Sequence, residues 1–162
     1  MQFPLFTPPT EWVMPDEYPD LSLARVISID LETCDPNLKS KGSGWARGDG
    51  YVIGFAVAVE GKAWYFPIRH ENGSNLDVDI TVKWIKELCS IDRDYIMHNA
   101  LYDLGWLWHE GIEVKGRIID TMVVGALLDE NRWSYALNAL GRDYLNQRKN
   151  EKDLQEASLS FG

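Results

Sequence analysis

Two acidic residues stand two positions apart in a run of apolar residues, ARVISIDLET at 24–33. Asp30 and Glu32 must point to the same side of a strand, because successive side chains alternate between its two faces. At a rise of roughly 3.3 Å per residue they lie about 6–7 Å apart, and their repulsion is on the order of 2–3 kcal/mol at an effective dielectric near 20. Folding therefore disfavours this pair unless a cation lies between the carboxylates or one of them stays protonated.

A third acidic residue, Asp103, occurs in the stretch MHNALYDL. It falls near the start of an expected helix, where the helix dipole favours a negative charge. If the strand at 94–98 pairs beside the strand at 25–32, Asp103 comes to lie next to Asp30 and Glu32. Three carboxylates on rigid elements suit Mg²⁺ or Mn²⁺. Two such ions about 4 Å apart can activate a water and stabilise the leaving oxygen in phosphodiester cleavage.

The elements that must position these residues follow from hydrophobic periodicity and turn signals. The order of elements predicts an α/β fold, in which an antiparallel three-stranded meander is extended by parallel strands through helical crossovers. Gly61 and Lys62 join the second and third strands as a hairpin. Strands are predicted at 25–32, 51–60, 63–68, 94–98 and 117–120, and helices from Asp77 or Asp79 to 89 and at 100–111, 121–130 and 134–146, with a further helix beginning in 150–162.

The chain has 162 residues and divides into two predicted parts. Residues 1–23 contain five of the seven prolines and are expected to form an extended arm. Residues 24–162 are expected to form one domain, in which the Gly- and Lys-rich stretch at 34–50 is a solvent loop.

Composition limits the class of function. The net charge of −9 argues against a free-standing electrostatic binder of nucleic acid but not against an enzyme that holds cations. Cys34 and Cys89 lack metal-binding spacing and are expected to be reduced thiols. No apolar run approaches the roughly 20 residues that span a bilayer, so no membrane association is expected.

Two motifs in this chain together resemble those of the 3′–5′ exonucleases of the DEDD superfamily, which have a ribonuclease-H-like fold. The sequence IDLET (29–33) matches the first exonuclease motif, and HNALYD (98–103) matches the second. The stretch at 118–145 is similar to the segment between the second and third motifs. The closest resemblance is to the proofreading exonuclease domain of phage-type family A DNA polymerases, and it covers about residues 24–162.

The resemblance implies roles for six residues. Asp30 and Glu32 would hold the catalytic metal ions and Asp103 would bind the second, with two Mg²⁺ or Mn²⁺ ions expected in the complete domain. Thr33 would lie near the 3′ end of the substrate, whereas Asn99 and Tyr102 would order the second motif. The residues alone favour a helix N-cap for Asn99 and a core position for Tyr102.

The third motif of the family, Tyr-x-x-x-Asp or His-x-x-x-x-Asp, supplies a fourth carboxylate and orients the attacking water. Neither pattern is available here, because the string from His98 to Asp103 already serves as the second motif. The domain is therefore expected to be C-terminally incomplete and of low or no activity. Asp120 is predicted to cap a helix and Asp143 and Asp153 to face solvent, so none of them is expected to replace the missing carboxylate.

The expected function is a metal-dependent 3′–5′ exonuclease that releases nucleoside monophosphates from the 3′ end of single-stranded DNA during proofreading. A family A DNA polymerase domain in the same or another chain is the expected partner, and the expected location is the cytoplasm of a bacterium or phage-infected host. Two alternatives stay open. One is an exoribonuclease that acts on RNA, and the other is a non-catalytic scaffold or single-strand clamp beside a polymerase.

Several other side chains have an ordinary structural explanation. Trp106 and Trp108 can stack on bases, but packing against the sheet is the more common role of such rings. Three cations in the loop after the first motif, Lys39, Lys41 and Arg47, can approach phosphates or simply face solvent. His70 and His109 fall in loop-like sequence and receive no role.

Overall fold

The computed structural model describes residues 13–71 and 73–147. This part of the chain contains five strands, five α-helices and one 3₁₀ helix, and the strands and the longer helices follow in the order that the sequence predicts. The strands are β1 (Val26–Cys34), β2 (Tyr51–Val59), β3 (Lys62–Pro67), β4 (Arg93–Met97) and β5 (Gly116–Asp120). The α-helices are α1 (Leu38–Lys41), α2 (Val78–Cys89), α3 (Ala100–His109), α4 (Thr121–Leu128) and α5 (Leu137–Leu145), and a 3₁₀ helix spans Gly44–Arg47.

The strands form one mixed sheet in the order β3-β2-β1-β4-β5. Antiparallel pairing joins β1 to β2 and β2 to β3, so the predicted meander is confirmed. Parallel pairing joins β1 to β4 and β4 to β5. Helices α2 and α3 make the crossovers that these parallel connections require. The predicted α/β fold, a mixed sheet flanked by helices, is therefore confirmed.

The core lies on one face of this sheet. Burial alternates along β1, where Ile27, Ile29 and Leu31 are buried and the residues between them are more exposed. Helices α2 and α3 pack against the buried face, as the period-2 pattern of β1 and the 3.6-residue pattern of α2 predict. The core side chains of these two helices are Ile85, Leu88, Cys89, Trp106 and Leu107.

Helix ends follow from local capping. Asp77 begins α2, because its backbone is extended and its side chain accepts a hydrogen bond from the Ile80 N–H at 2.9 Å. Helix α3 ends at His109, and Gly111 follows in a left-handed conformation with φ +73°. His109 is therefore the last residue of the helix predicted at 100–111, and its interpretation as loop-like is wrong.

The loop between β1 and β2 is more ordered than predicted. It contains α1 and the 3₁₀ helix, and Gly44 within it is buried. The ring of Trp45 lies directly over Gly105 of α3, where a side-chain Cβ would collide with it. The prediction of a solvent loop is wrong for this part, because Trp45 fixes the loop to α3.

Residues 13–23 contain no helix or strand; Tyr18 and Leu21 among them pack against the core, whereas Val13 and Leu23 are exposed. The ring of Tyr18 stacks on Phe66, and its hydroxyl is 2.6 Å from Thr81 Oγ1 of α2. The Arg93 guanidinium donates to the carbonyl of Leu21 at 2.6 Å. The rest of the predicted arm, residues 1–12, lies outside the described residues, as does the helix predicted in 150–162.

The C-terminal helices are shorter than predicted. Helix α4 ends at Leu128, because Asp129 adopts an extended conformation, and α5 begins only at Leu137. On α5, Leu140 is buried, whereas Leu137, Tyr144 and Leu145 are more than half exposed in the described part of the chain. Within residues 13–71 and 73–147, no helix combines the length and the apolar character that crossing a membrane requires.

Candidate active site

The two acidic residues of β1 share one face of the sheet. Ile29 and Leu31 point into the core, so Asp30 and Glu32 project from the opposite face, where both are exposed. On β2, Ala56 pairs with Asp30 and Gly54 with Glu32. Both neighbours are small, and the side chain of Tyr65 enters the space above Gly54.

Asp103 reaches β1 because the sheet opens at this point. Strand β4 pairs with β1 only over Val26–Ser28 in the described structure and then gives way to α3. The first turn of α3 brings Asp103 alongside, and its Oδ1 accepts a hydrogen bond from the backbone N–H of Leu31 at 3.2 Å. Asp103 therefore contacts β1 between Asp30 and Glu32, and its side chain is buried, with 3% exposure.

The electrostatics of Asp103 favour its neutral form. Burial and the nearby charge of Asp30 together raise the pKa of Asp103 to about 7, and the Leu31 N–H only partly opposes them. A buried carboxyl group with a raised pKa is a common feature of functional sites. A bound cation would counteract the effects of burial and of the Asp30 charge, because its positive charge stabilises the ionised carboxylate of Asp103.

A fourth acidic residue, Asp120, lies at the end of β5 and holds two helices. Its carboxylate accepts hydrogen bonds from the N–H groups of Asn99 at 3.1 Å and Ala100 at 2.8 Å, at the start of α3. It also accepts from Met122 at 2.9 Å, at the start of α4. Partial burial works against its ionisation, but these N–H groups lower the pKa of Asp120 overall. The prediction that Asp120 caps α4 is confirmed. Its hydrogen bonds to the start of α3 were not predicted.

Asn99 stands at the N-cap position of α3 without capping it. Its backbone is left-handed, with φ +62°, and its exposed side chain makes no cap hydrogen bond. Asparagine is among the few residues other than glycine that tolerate this conformation. The interpretation of Asn99 as a side-chain N-cap is therefore wrong, because Asp120 takes that place.

Thr33 and Tyr102 connect the two motifs. The Thr33 Oγ1 and the Tyr102 hydroxyl lie 2.7 Å apart, and Tyr102 also donates to Asp35 Oδ2 at 3.3 Å. Asp35 accepts a further bond from the Gly44 N–H at 2.9 Å. Tyr102 is half-buried against the core, so it packs as a core residue while its hydroxyl ties α3 to the end of β1.

Comparison with known proteins identifies the family. The model of the 3′–5′ exonuclease family matches residues 18–159. The chain belongs to the 3′–5′ exonuclease family. The resemblance to proofreading exonuclease domains, predicted from the motifs at 29–33 and 98–103, is thereby confirmed.

Relatives of this exonuclease-family chain are phage DNA polymerases. A DNA-directed DNA polymerase of Pseudomonas phage M6 is 32% identical over 170 residues, which cover 100% of this chain and 26% of the phage protein. DNA polymerase DpoZ of Salmonella phage PMBT28 is 26% identical over 147 residues, covering 90% of this chain and 21% of that protein. The chain thus spans about a quarter of the length of these relatives.

Solved structures share the fold. Trypanosoma brucei RNase D has a TM-score of 0.63 and 19% sequence identity, and the match covers 87% of this chain and 48% of that one. At this identity the likeness establishes the fold alone. It agrees with the ribonuclease-H-like arrangement that the sequence predicts.

The donor set fits a hard divalent cation. Asp30, Glu32 and Asp103 offer carboxylate oxygens, the ligands that Mg²⁺ and Mn²⁺ prefer. The buried Asp103 with its raised pKa indicates a carboxyl group that lacks compensating positive charge. Within the described residues, no three or more His, Cys, Asp or Glu side chains are already arranged as a group that could hold a metal ion. Binding of a cation would therefore have to draw these carboxylates together, with water completing the coordination of the ion.

The described residues supply no obvious fourth carboxylate. Asp120 is committed to the two helix N-termini. Asp143 is exposed, as predicted, and bonds to Arg132 and to Arg142 in the described structure. Asp153 lies outside the described residues.

The tryptophans of α3 differ in exposure. Trp106 is fully buried and packs in the core, whereas Trp108 is 68% exposed and meets Trp45 edge to face. The expected packing against the sheet is therefore confirmed for Trp106 and wrong for Trp108. In the loop after the first motif, Arg47 donates to the carbonyls of Lys41, Gly42 and Ser43 and to Asp49, so its guanidinium bonds within its own loop.

Sequence reasoning missed two residues near the carboxylates. Asp35 follows the first motif and receives the Tyr102 hydroxyl. Tyr65 of β3 extends over Gly54 on the same face of the sheet as Asp30. The signal for Tyr65 was Gly54 itself, since a glycine inside a strand often marks close approach by another group.

Proposed function

We propose that this chain is a metal-dependent 3′–5′ exonuclease domain that hydrolyses phosphodiester bonds at the 3′ end of single-stranded DNA. The product would be a nucleoside monophosphate, and the setting would be proofreading beside a DNA polymerase. The observation that carries the proposal is Asp103, a buried carboxyl group with a raised pKa that bonds to β1 between Asp30 and Glu32. The surroundings of Asp103 favour its ionised carboxylate only if a cation is bound.

Each candidate residue has a proposed task. Asp30 and Glu32 present their carboxylate oxygens from the exposed face of β1. Asp103 presents its carboxylate oxygens from the first turn of α3. These oxygens would hold two Mg²⁺ or Mn²⁺ ions. When bound, such ions activate a water and stabilise the leaving oxygen.

Three further residues would hold the substrate. Thr33 lies at the end of β1 next to the carboxylates and would approach the 3′-terminal nucleotide. Tyr102 keeps Thr33 in place through the hydrogen bond between their hydroxyl groups. Asn99, with its exposed side chain and left-handed backbone, would contact the substrate at the start of α3.

The larger context is also a proposal. The relatives are phage DNA polymerases, so we infer that a family A polymerase domain accompanies this one in the same or another chain. The cytoplasm of a bacterium or phage-infected host is the corresponding location. We divide the chain into an arm at 1–23 and an exonuclease domain at 24–162.

A second candidate is a non-catalytic scaffold or single-strand clamp with the same fold. It is favoured by the absence, in residues 13–71 and 73–147, of a carboxylate that could complete the site. The two candidates differ in turnover rather than in fold. Both allow the chain to bind a cation through Asp30.

The direct experiment is degradation of a single-stranded DNA labelled at its 5′ end, with Mg²⁺ or Mn²⁺ and with EDTA as the metal-free control. A ladder of products shortened from the 3′ end, slow in this chain and faster in a chain extended at its C-terminus, supports the exonuclease. Asp30→Asn should abolish the ladder. Asp94→Asn is the matched control, because the side chain of Asp94 bonds to Arg117 of the neighbouring strand β5 and is not part of the proposed site.

Other outcomes separate the alternatives. Cation binding that depends on Asp30 without any ladder, even in the extended chain, supports the scaffold. Faster shortening of an RNA strand of the same sequence supports the exoribonuclease. If the chain binds no cation and degrades neither strand, the proposal is wrong.

A further inference from the structure

A tyrosine and a histidine lie beside the carboxylates of β1 on the same side of the sheet. Asp30 pairs with Ala56 of β2, and Ala56 pairs with Tyr65 of β3. Directly opposite residues in antiparallel strands point to the same face. Tyr65 therefore shares the exposed face with Asp30 and Glu32, whereas its neighbour Phe66 enters the core.

The phenol of Tyr65 leans along the sheet toward Glu32. A Cβ added to Gly54 would collide with the Tyr65 hydroxyl, so the hydroxyl occupies the space that a side chain at 54 would fill. Gly54 is the residue paired with Glu32. Since Cβ positions of directly opposite residues lie about 4.5–5.5 Å apart, the hydroxyl is within reach of the Glu32 carboxylate, which extends two carbon atoms beyond its own Cβ.

The Tyr65 hydroxyl also forms a hydrogen bond with His70. The Tyr65 oxygen and His70 Nε2 are 2.5 Å apart, and the two rings meet edge to face. Asn75 holds the backbone of His70 on both sides, accepting from its N–H and donating to its carbonyl, each at 2.8 Å. A tyrosine hydroxyl can donate one hydrogen bond and accept another, so His70 can hold the oxygen while the proton points to Glu32.

We propose that Tyr65, held by His70 and admitted by Gly54, is a positioning residue that orients the Glu32 carboxylate toward the cation site. This inference rests on the proposed function and adds a partner to one of its ligands. One oxygen of Glu32 would accept a hydrogen bond from the Tyr65 hydroxyl, which would leave the other oxygen facing the cation site. Partners of metal-binding carboxylates act in this way by fixing the orientation of the ligand.

The phenol can serve as a donor in this role. A tyrosine hydroxyl has an ordinary pKa of about 10, so it keeps its proton throughout the neutral range. Gly54 allows this position of the Tyr65 ring, because the side chain of any larger residue would collide with it.

The test compares two single-hydroxyl deletions in the full chain, Tyr65→Phe and Tyr18→Phe. Tyr18 is the matched control, because its hydroxyl also bonds to one side chain, Thr81 of α2, but lies on the core face of the sheet. Mn²⁺ affinity is measured by electron paramagnetic resonance of the free ion, and circular dichroism checks folding. We expect the Mn²⁺ Kd to rise roughly 10-fold in Tyr65→Phe and to stay within twofold of the unmodified chain in Tyr18→Phe.

Two further variants keep the test decisive. His70→Ala leaves the phenol but removes its support, and Gly54→Ala displaces the phenol without removing it. Each should raise the Mn²⁺ Kd at least threefold, and a high Mn²⁺ concentration should restore hydrolysis in the extended chain. If Tyr65→Phe unfolds the chain, His70→Ala and Gly54→Ala decide alone.

The outcomes distinguish this inference from the proposed function. Unchanged Mn²⁺ affinity in Tyr65→Phe, alongside a loss in Asp30→Asn, overturns the role of Tyr65 and leaves the exonuclease proposal standing. Equal losses in Tyr65→Phe and Tyr18→Phe indicate general destabilisation and also overturn it. If the unmodified chain binds no Mn²⁺, the proposed function fails and the inference fails with it.

Discussion

Replacing Asp103 by asparagine should make the metal-free chain more stable at neutral and alkaline pH. Asparagine has the same shape and keeps an oxygen that can accept from the Leu31 N–H. It lacks the charge that burial and Asp30 disfavour. The substitution therefore removes an electrostatic cost while retaining the main contact of the side chain.

The magnitude follows from the pKa of Asp103, which rises from its usual value of 3.8 to about 7. The folded chain thus holds this proton more tightly than the unfolded chain, and the free energy of unfolding falls as pH rises from about 4 to about 7. A difference of roughly three pH units at about 1.36 kcal/mol per unit gives an upper limit near 4 kcal/mol. Because the side chain is 3% exposed, solvent screens little of this cost.

The assay is urea unfolding in EDTA, followed by tryptophan fluorescence, at pH 4.5, 6 and 8. We expect Asp103→Asn to exceed the unmodified chain by about 1 kcal/mol or less near pH 4.5 and by about 2–4 kcal/mol at pH 8. Saturating Mn²⁺ should stabilise the unmodified chain and not the variant, since the ion binds only the folded site.

Asp94→Asn is the control for this prediction. The Arg117 guanidinium beside Asp94 lowers the pKa of that carboxyl group, so its replacement should reduce stability at pH 8 rather than raise it. Our reasoning is refuted if Asp103→Asn gains nothing at pH 8. It is also refuted if the gain is the same at every pH.

Three further predictions concern the elements around the site. Asp120→Ala should lower the free energy of unfolding by about 1–3 kcal/mol in urea titrations, because it removes the caps of α3 and α4, whereas Asp129→Ala at the far end of α4 should have a much smaller effect. Gly105→Ala should cost about 1–3 kcal/mol by displacing Trp45, measured by the same titration, and an equally stable variant would contradict that packing. Thr33→Val and Tyr102→Phe should show a coupling of about 0.5–1.5 kcal/mol in a double-mutant cycle, and additive losses would mean that their hydroxyls do not interact.

Local patterns in the sequence were sufficient for much of this account. The alternation of apolar and polar residues in β1 fixes which side chains enter the core, and so puts Asp30 and Glu32 on one face. The acidic residue Asp77 at a helix start predicts its own cap. These features depend on neighbours within a few residues, which a sequence displays directly.

The remaining features depend on contacts between distant segments. Asp120 caps α3 because β5 pairs with β4 in a register that puts Met97 opposite Asp120, which no local pattern reveals. For the same reason Asn99 looked like a cap. The loop after β1 looked like solvent, because only the fold brings Trp45 onto Gly105.

The central claim is that cations bind between carboxylates that converge from β1 and α3. The most direct measurement is the anomalous scattering of Mn²⁺ in a crystal of the full chain grown with that ion. We predict a peak in direct contact with oxygens of Asp30 and Asp103, at about 2.0–2.3 Å. A crystal with Mn²⁺ in solution but no peak at these oxygens, or with a lysine or arginine neutralising them instead, would contradict the claim.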